Sequence, residues 1–198
     1  MKLLKKPKIK SLLLLLLVIA IASNLYMHHK FNHFIHQKQS QNQTDLWSIS
    51  VSGENLAKRL EDFLQHSHEA DNEEVKEILD NSWRVVLGES QSIRFYLGRV
   101  SPQDMEELAP RWSLLQYSLL RIDDFLHGLN FNFLEQRSYS INNEEVEKLK
   151  AVVTTYKKIH EAVKNKSEHP ELVIDSLTDQ MMIIDHHYAS ILETLELD

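Results

Sequence analysis

The chain has no cysteine, only four glycines and four prolines, and no acidic residue before Asp45. Without cysteine there is no disulfide framework, no thiolate nucleophile and no lipid-modified cysteine at an export signal, so stability has to come from packing. So few glycines and prolines fit long helices rather than a turn-rich β fold. Catalytic signatures are missing too. There is no G-x-S-x-G, no H-E-x-x-H and no glycine-rich phosphate loop. The sequence therefore predicts a non-enzymatic protein with no catalytic residue, no metal site and no identifiable cofactor.

What the amino terminus does have is an export pattern. Lys2, Lys5, Lys6, Lys8 and Lys10 precede an uncharged run, Ser11–Met27, centred on the unbroken apolar stretch Leu12–Ala22. Lysines ahead of an apolar segment, with only Lys30 and Lys38 soon after it, orient a chain amino-end in and carboxyl-end out. Seventeen residues are just enough for a membrane-spanning helix, which needs about 17–25. Ala20-Ile21-Ala22 also matches a signal-peptide cleavage pattern, which would release a secreted chain starting at Ser23. Leu25, Tyr26 and Met27 prolong the apolar stretch, and Phe31, Phe34 and Ile35 suggest a helix continuing outward, so an uncleaved anchor is the expectation. The domain reading is a cytoplasmic basic segment at 1–10, a signal-anchor at 11–27, a juxtamembrane polar spacer at 28–53 and a bundle domain at 54–198.

Charge sharpens this division. All 29 acids follow Lys30, where they meet 16 basic residues, leaving residues 31–198 at a net −13. So acidic a domain should repel nucleic acid and anionic headgroups. Membrane lipid is expected to contact residues 11–27, and the lysines before them can meet anionic lipid on the inner leaflet.

The rest reads as all-α, about four long helices plus one short one, antiparallel as neighbours. Residues 37–53 look like a polar spacer in which Leu46, Trp47, Ile49 and Val51 alternate weakly, as a short strand or a segment tucked on the bundle would. A short helix follows over 54–66, with Leu56, Leu60, Phe63 and Leu64 on one face. The next runs from Asn72 to about Arg99, capped by Asp71 or Asn72, with Leu79, Val86, Ile93 and Val100 every seventh residue and Gly88 inside it. In the third helix Ser101 reads as N-cap, Pro102 as first residue and Asp104 as the acid of the first turn. Met105, Leu108, Trp112, Leu115, Leu119, Ile122, Leu126 and Leu129 form a seam spaced alternately by three and four. Pro110 predicts a kink near residue 109. A loop is expected at 130–142, then a helix from 143 to 166 with the stripe Val146, Leu149, Val153, Tyr156, His160 and Val163. Pro170 opens a last helix over 171–197, with the stripe Ile174, Leu177, Met181, Ile184, Tyr188, Ile191 and Leu195.

Several clusters invite chemistry. His28, His29, His33 and His36 lie within nine residues, and His29, His33 and His36 share a helix face that can present imidazoles to Zn²⁺ or Cu²⁺. No carboxylate nearby would orient their rings, so a solvated collar is the simpler account. Asp124 and His127 have the acidic-x-x-His spacing of di-metal bundles, but they face away from the seam. His160 lies on a core stripe and is expected to bond a neighbour such as Tyr156 or Tyr188. His186 and His187 flank another stripe beside Asp185, and a structural role is expected for all three histidines. Trp83 and Trp112 read as core anchors. Arg84, Arg94, Arg99, Arg111 and Arg121 on the same helices either cover tryptophan faces or line a pocket for an anionic or aromatic ligand. Asn42-Gln43-Thr44 and Asn165-Lys166-Ser167 are glycan acceptors only in a host that glycosylates exported chains.

The functional expectation is a membrane-tethered interaction or scaffold module outside the cytoplasm, partnered by another membrane or exported protein. The alternative is a ligand- or metal-binding sensory bundle. With some ten residues on the inner side and no second apolar span, it would have to signal through a partner protein.

Overall fold

The computed structural model describes residues 9–69, 72–100, 109–165 and 174–195. Among them the fold is all-helical: α1 (Ile9–His66), α2 (Glu73–Leu97), α3 (Ala109–Gln136), α4 (Asn143–Asn165), α5 (Ile174–Ile184) and α6 (Tyr188–Thr194), with one 3₁₀ turn at Ser67–Glu69 after α1. The chain divides into two compact units, Met1–Ser40 and Gln41–Asp198.

In the first unit, α1 exposes every side chain from Leu12 to Phe34. By length and composition it can cross a membrane, with a mean hydropathy of 1.8 in its most apolar window and none of that window buried.

The second unit is a helical bundle. α2 runs antiparallel to α1, because Asp45 meets Arg99, Asn55 meets Glu89 and Phe63 meets Trp83. α3 reverses again, with Asn130 beside Trp83 and Asp123 beside Ser90 and Arg94. α4 returns antiparallel to α1, placing His160 at Ser50 and the Tyr156 ring against Gly53. α5 and α3 run in the same direction, from Arg111–Asp175 to Tyr117–Asp185.

Local chemistry sets the helix starts. The Asn72 side chain accepts the Glu74 amide at 3.0 Å and caps α2. Asn142 and Glu145 cap α4 reciprocally, each side chain accepting the other's amide at 2.9 and 2.8 Å. The α3 seam from Trp112 to Leu129 is buried throughout, and Leu114, Ser118, Asp123 and Phe133 widen it. Ser101, Pro102, Asp104, Met105 and Leu108 lie outside the described residues, as do Asp71 and Pro170. Pro110 is the second residue of the described α3, and the kink expected near residue 109 falls at the edge of residues 101–108, which lie outside the described residues.

Three expectations are corrected. The spacer over 37–53, read as a short strand or a segment tucked on the bundle, is helical and continuous with 54–66. Asn42, Asp45, Leu46, Ile49 and Ser50 recur on one face at helical spacing and are buried against the bundle. The loop expected at 130–142 shrinks to 137–142, because burial of Phe133 among aromatics carries α3 on to Gln136. The last helix is two helices broken at 185–187. There the buried Asp185 carboxylate turns back to accept the His187 amide at 3.1 Å, a local bond that competes with the helical ladder.

Candidate functional site

The arginines expected either to cover tryptophan faces or to line a pocket are paired with aspartates. Arg84 bonds Asp80, Arg111 holds both carboxylate oxygens of Asp175 at 3.0 Å, and Arg94 reaches Asp123 at 3.0 Å. Arg99 approaches Asp45 at 3.4 Å, with its guanidinium over the Phe95 ring. Arg121 lies 3.3 Å from Asp185. Asp45, Asp123 and Asp185 are themselves buried, so Arg99, Arg94 and Arg121 each supply a countercharge to a carboxylate in a low dielectric. Burial pushes the Asp185 carboxyl up, but the Tyr117 hydroxyl, the His187 amide and Arg121 outweigh it and hold it below its usual value. Its own burial, and then the contact with Asp185, push the Tyr117 hydroxyl up to about 12. The sequence flagged Asp185 only as a histidine's neighbour and missed Asp45 and Asp123. The signal for Asp123 is its place four residues after Leu119, on the widened buried face of α3.

The histidines do not converge. His29, His33 and His36 are exposed along α1, and among the described residues no three His, Asp or Glu side chains gather as a metal set. Asp124 and His127 are exposed, and His127 turns its Nδ1 to the Asp123 carbonyl at 3.0 Å. His160 bonds Ser50 at 2.9 Å and faces Glu54 at 3.5 Å, in place of the tyrosines proposed for it. Tyr156 keeps a buried hydroxyl without a bonding partner among the described residues. His186 and His187 are exposed. Asn42 is buried, which withdraws the first glycan acceptor from the folded surface, whereas Asn165 is exposed and Lys166 and Ser167 lie outside the described residues.

The candidate site is a pocket of about 580 Å³ where α2, the end of α3 and the following loop meet, lined by Lys76, Glu77, Asp80, Asn130, Phe133, Leu134, Arg137, Ser138 and Tyr139. Four aromatic rings back it. Trp83 lies 5.1 Å from Phe63 and 4.9 Å from Phe133, and Phe133 lies 5.2 Å from Tyr139. Such edge-on and tilted contacts contribute about 0.5–1.5 kcal/mol each beyond area. The Tyr139 hydroxyl donates to Asp80 at 2.7 Å, a bond that holds the Asp80 carboxyl below its usual value with help from Arg84, against the opposing effect of burial. Tyr139 in turn is pushed up, by burial first and Asp80 second. Leu134 is 70 % exposed beside these rings, an apolar surface open to a ligand.

Comparison with protein-family models, with curated proteins and with solved structures found no match for this chain. The pocket joins an aromatic floor to a few polar groups, the usual make-up of a binding site.

Proposed function

We propose that this protein is a membrane-anchored, non-enzymatic interaction module whose helical bundle works outside the cytoplasm. One observation carries the reading: the helix that exposes Leu12–Met27 on all sides also supplies Leu46, Ile49, Leu56, Leu60 and Phe63 to the bundle core. None of the apolar run in α1 is buried among the described residues, so lipid is its natural surrounding. The basic residues before it favour an outward bundle by the charge rule. The bundle's buried acids are matched to arginines internally, as in a scaffold held together by its polar pairs.

The sidedness is tested by fusing, after Asp198, a reporter enzyme active only outside the cytoplasm. Activity is the expected result; an inactive fusion together with an active cytoplasmic reporter overturns the placement. The mature amino terminus separates anchor from signal peptide: Met1 is expected, and Ser23 would mean release. Mild crosslinking and capture of the full chain should retain a membrane or exported protein.

A second reading, a ligand-binding sensory bundle acting through such a partner, is favoured by the pocket at the end of α3.

A further inference from the structure

Two features of the pocket point to the chemistry of what it takes. The first is Asn130. Its amide oxygen accepts the Trp83 indole N–H at 3.1 Å. An indole nitrogen is a donor only, so the oxygen must face it, and the two amide hydrogens are left for the pocket that Asn130 lines. The second is Arg137. It follows the last residue of α3 with φ 53, a left-handed conformation that helix ends ordinarily give to glycine or asparagine. A residue with a Cβ is disfavoured there by about 1–2 kcal/mol. Its guanidinium has no ion-pair partner among the described residues, unlike the arginines of α2 and α3, yet it lines the pocket. The helix could end on glycine at lower cost; arginine adds five donors in a planar fork.

The acids in the lining do not cancel this. Asp80 is already matched by Arg84 and the Tyr139 hydroxyl, and Glu77 is exposed, so solvent and salt screen its charge. Between the donors lie Phe133, Leu134 and Tyr139, an apolar bed.

We propose that this pocket binds a carboxylate carried on an apolar group, with Arg137 and Asn130 holding the carboxylate and Phe133, Leu134 and Tyr139 the apolar part. Two sources share that chemistry: a free aromatic or aliphatic acid, and the carboxyl-terminal residue of a peptide chain. The inference rests on the ligand-binding reading and is independent of the membrane anchor.

The test uses the full chain in detergent micelles and follows the Trp83 indole resonance by NMR. The probes are phenylacetate, N-acetyl-Gly-Gly-Phe and its carboxyl-terminal amide. A saturable shift of the Trp83 signal by at least one acid is expected, with the amide weaker by about tenfold or more. Saturation by phenylacetate assigns the site to free acids; saturation by the peptide acid alone assigns it to chain termini. Two variants separate binding from folding. Arg137→Gly relieves the left-handed backbone and should raise the unfolding midpoint while abolishing the shift. Asn130→Asp keeps an oxygen for Trp83 but replaces the donors with a charge, and should abolish it too. Equal binding of acid and amide, unchanged binding in both variants, or no shift by any probe at about 10 mM, far above an ordinary site's Kd, would overturn the proposal. A crosslinked partner still captured by both variants would leave the interaction module standing without this pocket.

Discussion

Within α1, Leu12–Met27 is uncharged, mostly apolar and wholly exposed, whereas Gln41–His66 is rich in amide, hydroxyl and charged side chains and buries Asn42, Asp45 and Ser50 beside Leu46 and Ile49. Hydropathy and burial are inverted along one helix. The difference is periodicity. The first stretch is apolar on all sides and has no face to turn toward protein, while the second places its few apolar residues on one stripe and its polar residues around it. Mean hydropathy finds a helix for lipid; the 3.6-residue pattern finds a helix for a core.

Placing one acid in each stretch should break the comparison most sharply. Leu56 is fully buried, so Leu56→Asp loses its packing and strands a charge, costing at least about 4 kcal/mol. Loss of the bundle's cooperative unfolding in the full chain is expected. Leu14→Asp should leave that unfolding unchanged and weaken membrane retention, because Leu14 is 65 % exposed in the structure. Equal loss of stability in both variants would show that the two stretches are not distinct. Leu119→Asp on the α3 seam should behave like Leu56→Asp.

The glycines give the next contrast. A Cβ on Gly53 would stand 2.5 Å from Cδ1 of the buried Tyr156 ring, and the ring has little room to move. Gly53→Ala should therefore lower stability by about 1–3 kcal/mol, the usual cost of overpacking. Gly88 meets nothing within 4 Å, and Gly88→Ala should add about 1 kcal/mol through helix propensity. Thermal unfolding of both variants measures the two signs.

Seams were legible in the sequence because period is a property of the string. Asn72, the Trp112–Leu129 row and the start of α4 follow from residue type and spacing alone. The break at Asp185 was not legible, since the local bond to His187 uses a carboxylate whose other partners, Tyr117 and Arg121, lie more than sixty residues away in the chain. The run from Gln37 to Gly53 looked like a spacer because its composition is polar; only its neighbours α2 and α4 make one face of it a core. The pocket was anticipated only as tryptophan with arginine. It is built from Phe133, Tyr139 and Arg137, and Trp83 acts from behind by fixing Asn130.

Acid should act on the bundle and spare the apolar stretch, which has no carboxylate. Asp80 and Asp185 are both held below the ordinary carboxylate value of 3.8 in the folded state. A group whose folded pKa is depressed stabilises the fold above its unfolded value, and that contribution is lost as pH falls through the folded one. The unfolding midpoint should thus be flat near neutrality and fall below about pH 4. Tyr117→Phe removes one of the bonds that depress Asp185 and should make the fall shallower. An acid-insensitive midpoint would mean that these pairs do not stabilise the fold.

The smallest effect is expected at the most conspicuous cluster. His29, His33 and His36 are exposed on the stretch of α1 before Ser40. Replacing all three by alanine removes no buried contact, and alanine is the better helix former, so the unfolding midpoint of the full chain should not move. If the imidazoles formed a working site, Zn²⁺ would bind with a fixed stoichiometry and stabilise the helix, because metal binding adds its free energy to the state that presents the ligands. Weak, nonstoichiometric uptake is expected, since two spacings on a single helix face supply three ligands at most and no carboxylate to hold their rings. Calorimetry showing one submicromolar Zn²⁺ or Cu²⁺ site, abolished by the triple alanine change, would reverse this expectation. It would also make the exposed stretch of α1 a sensor and leave the bundle as its support.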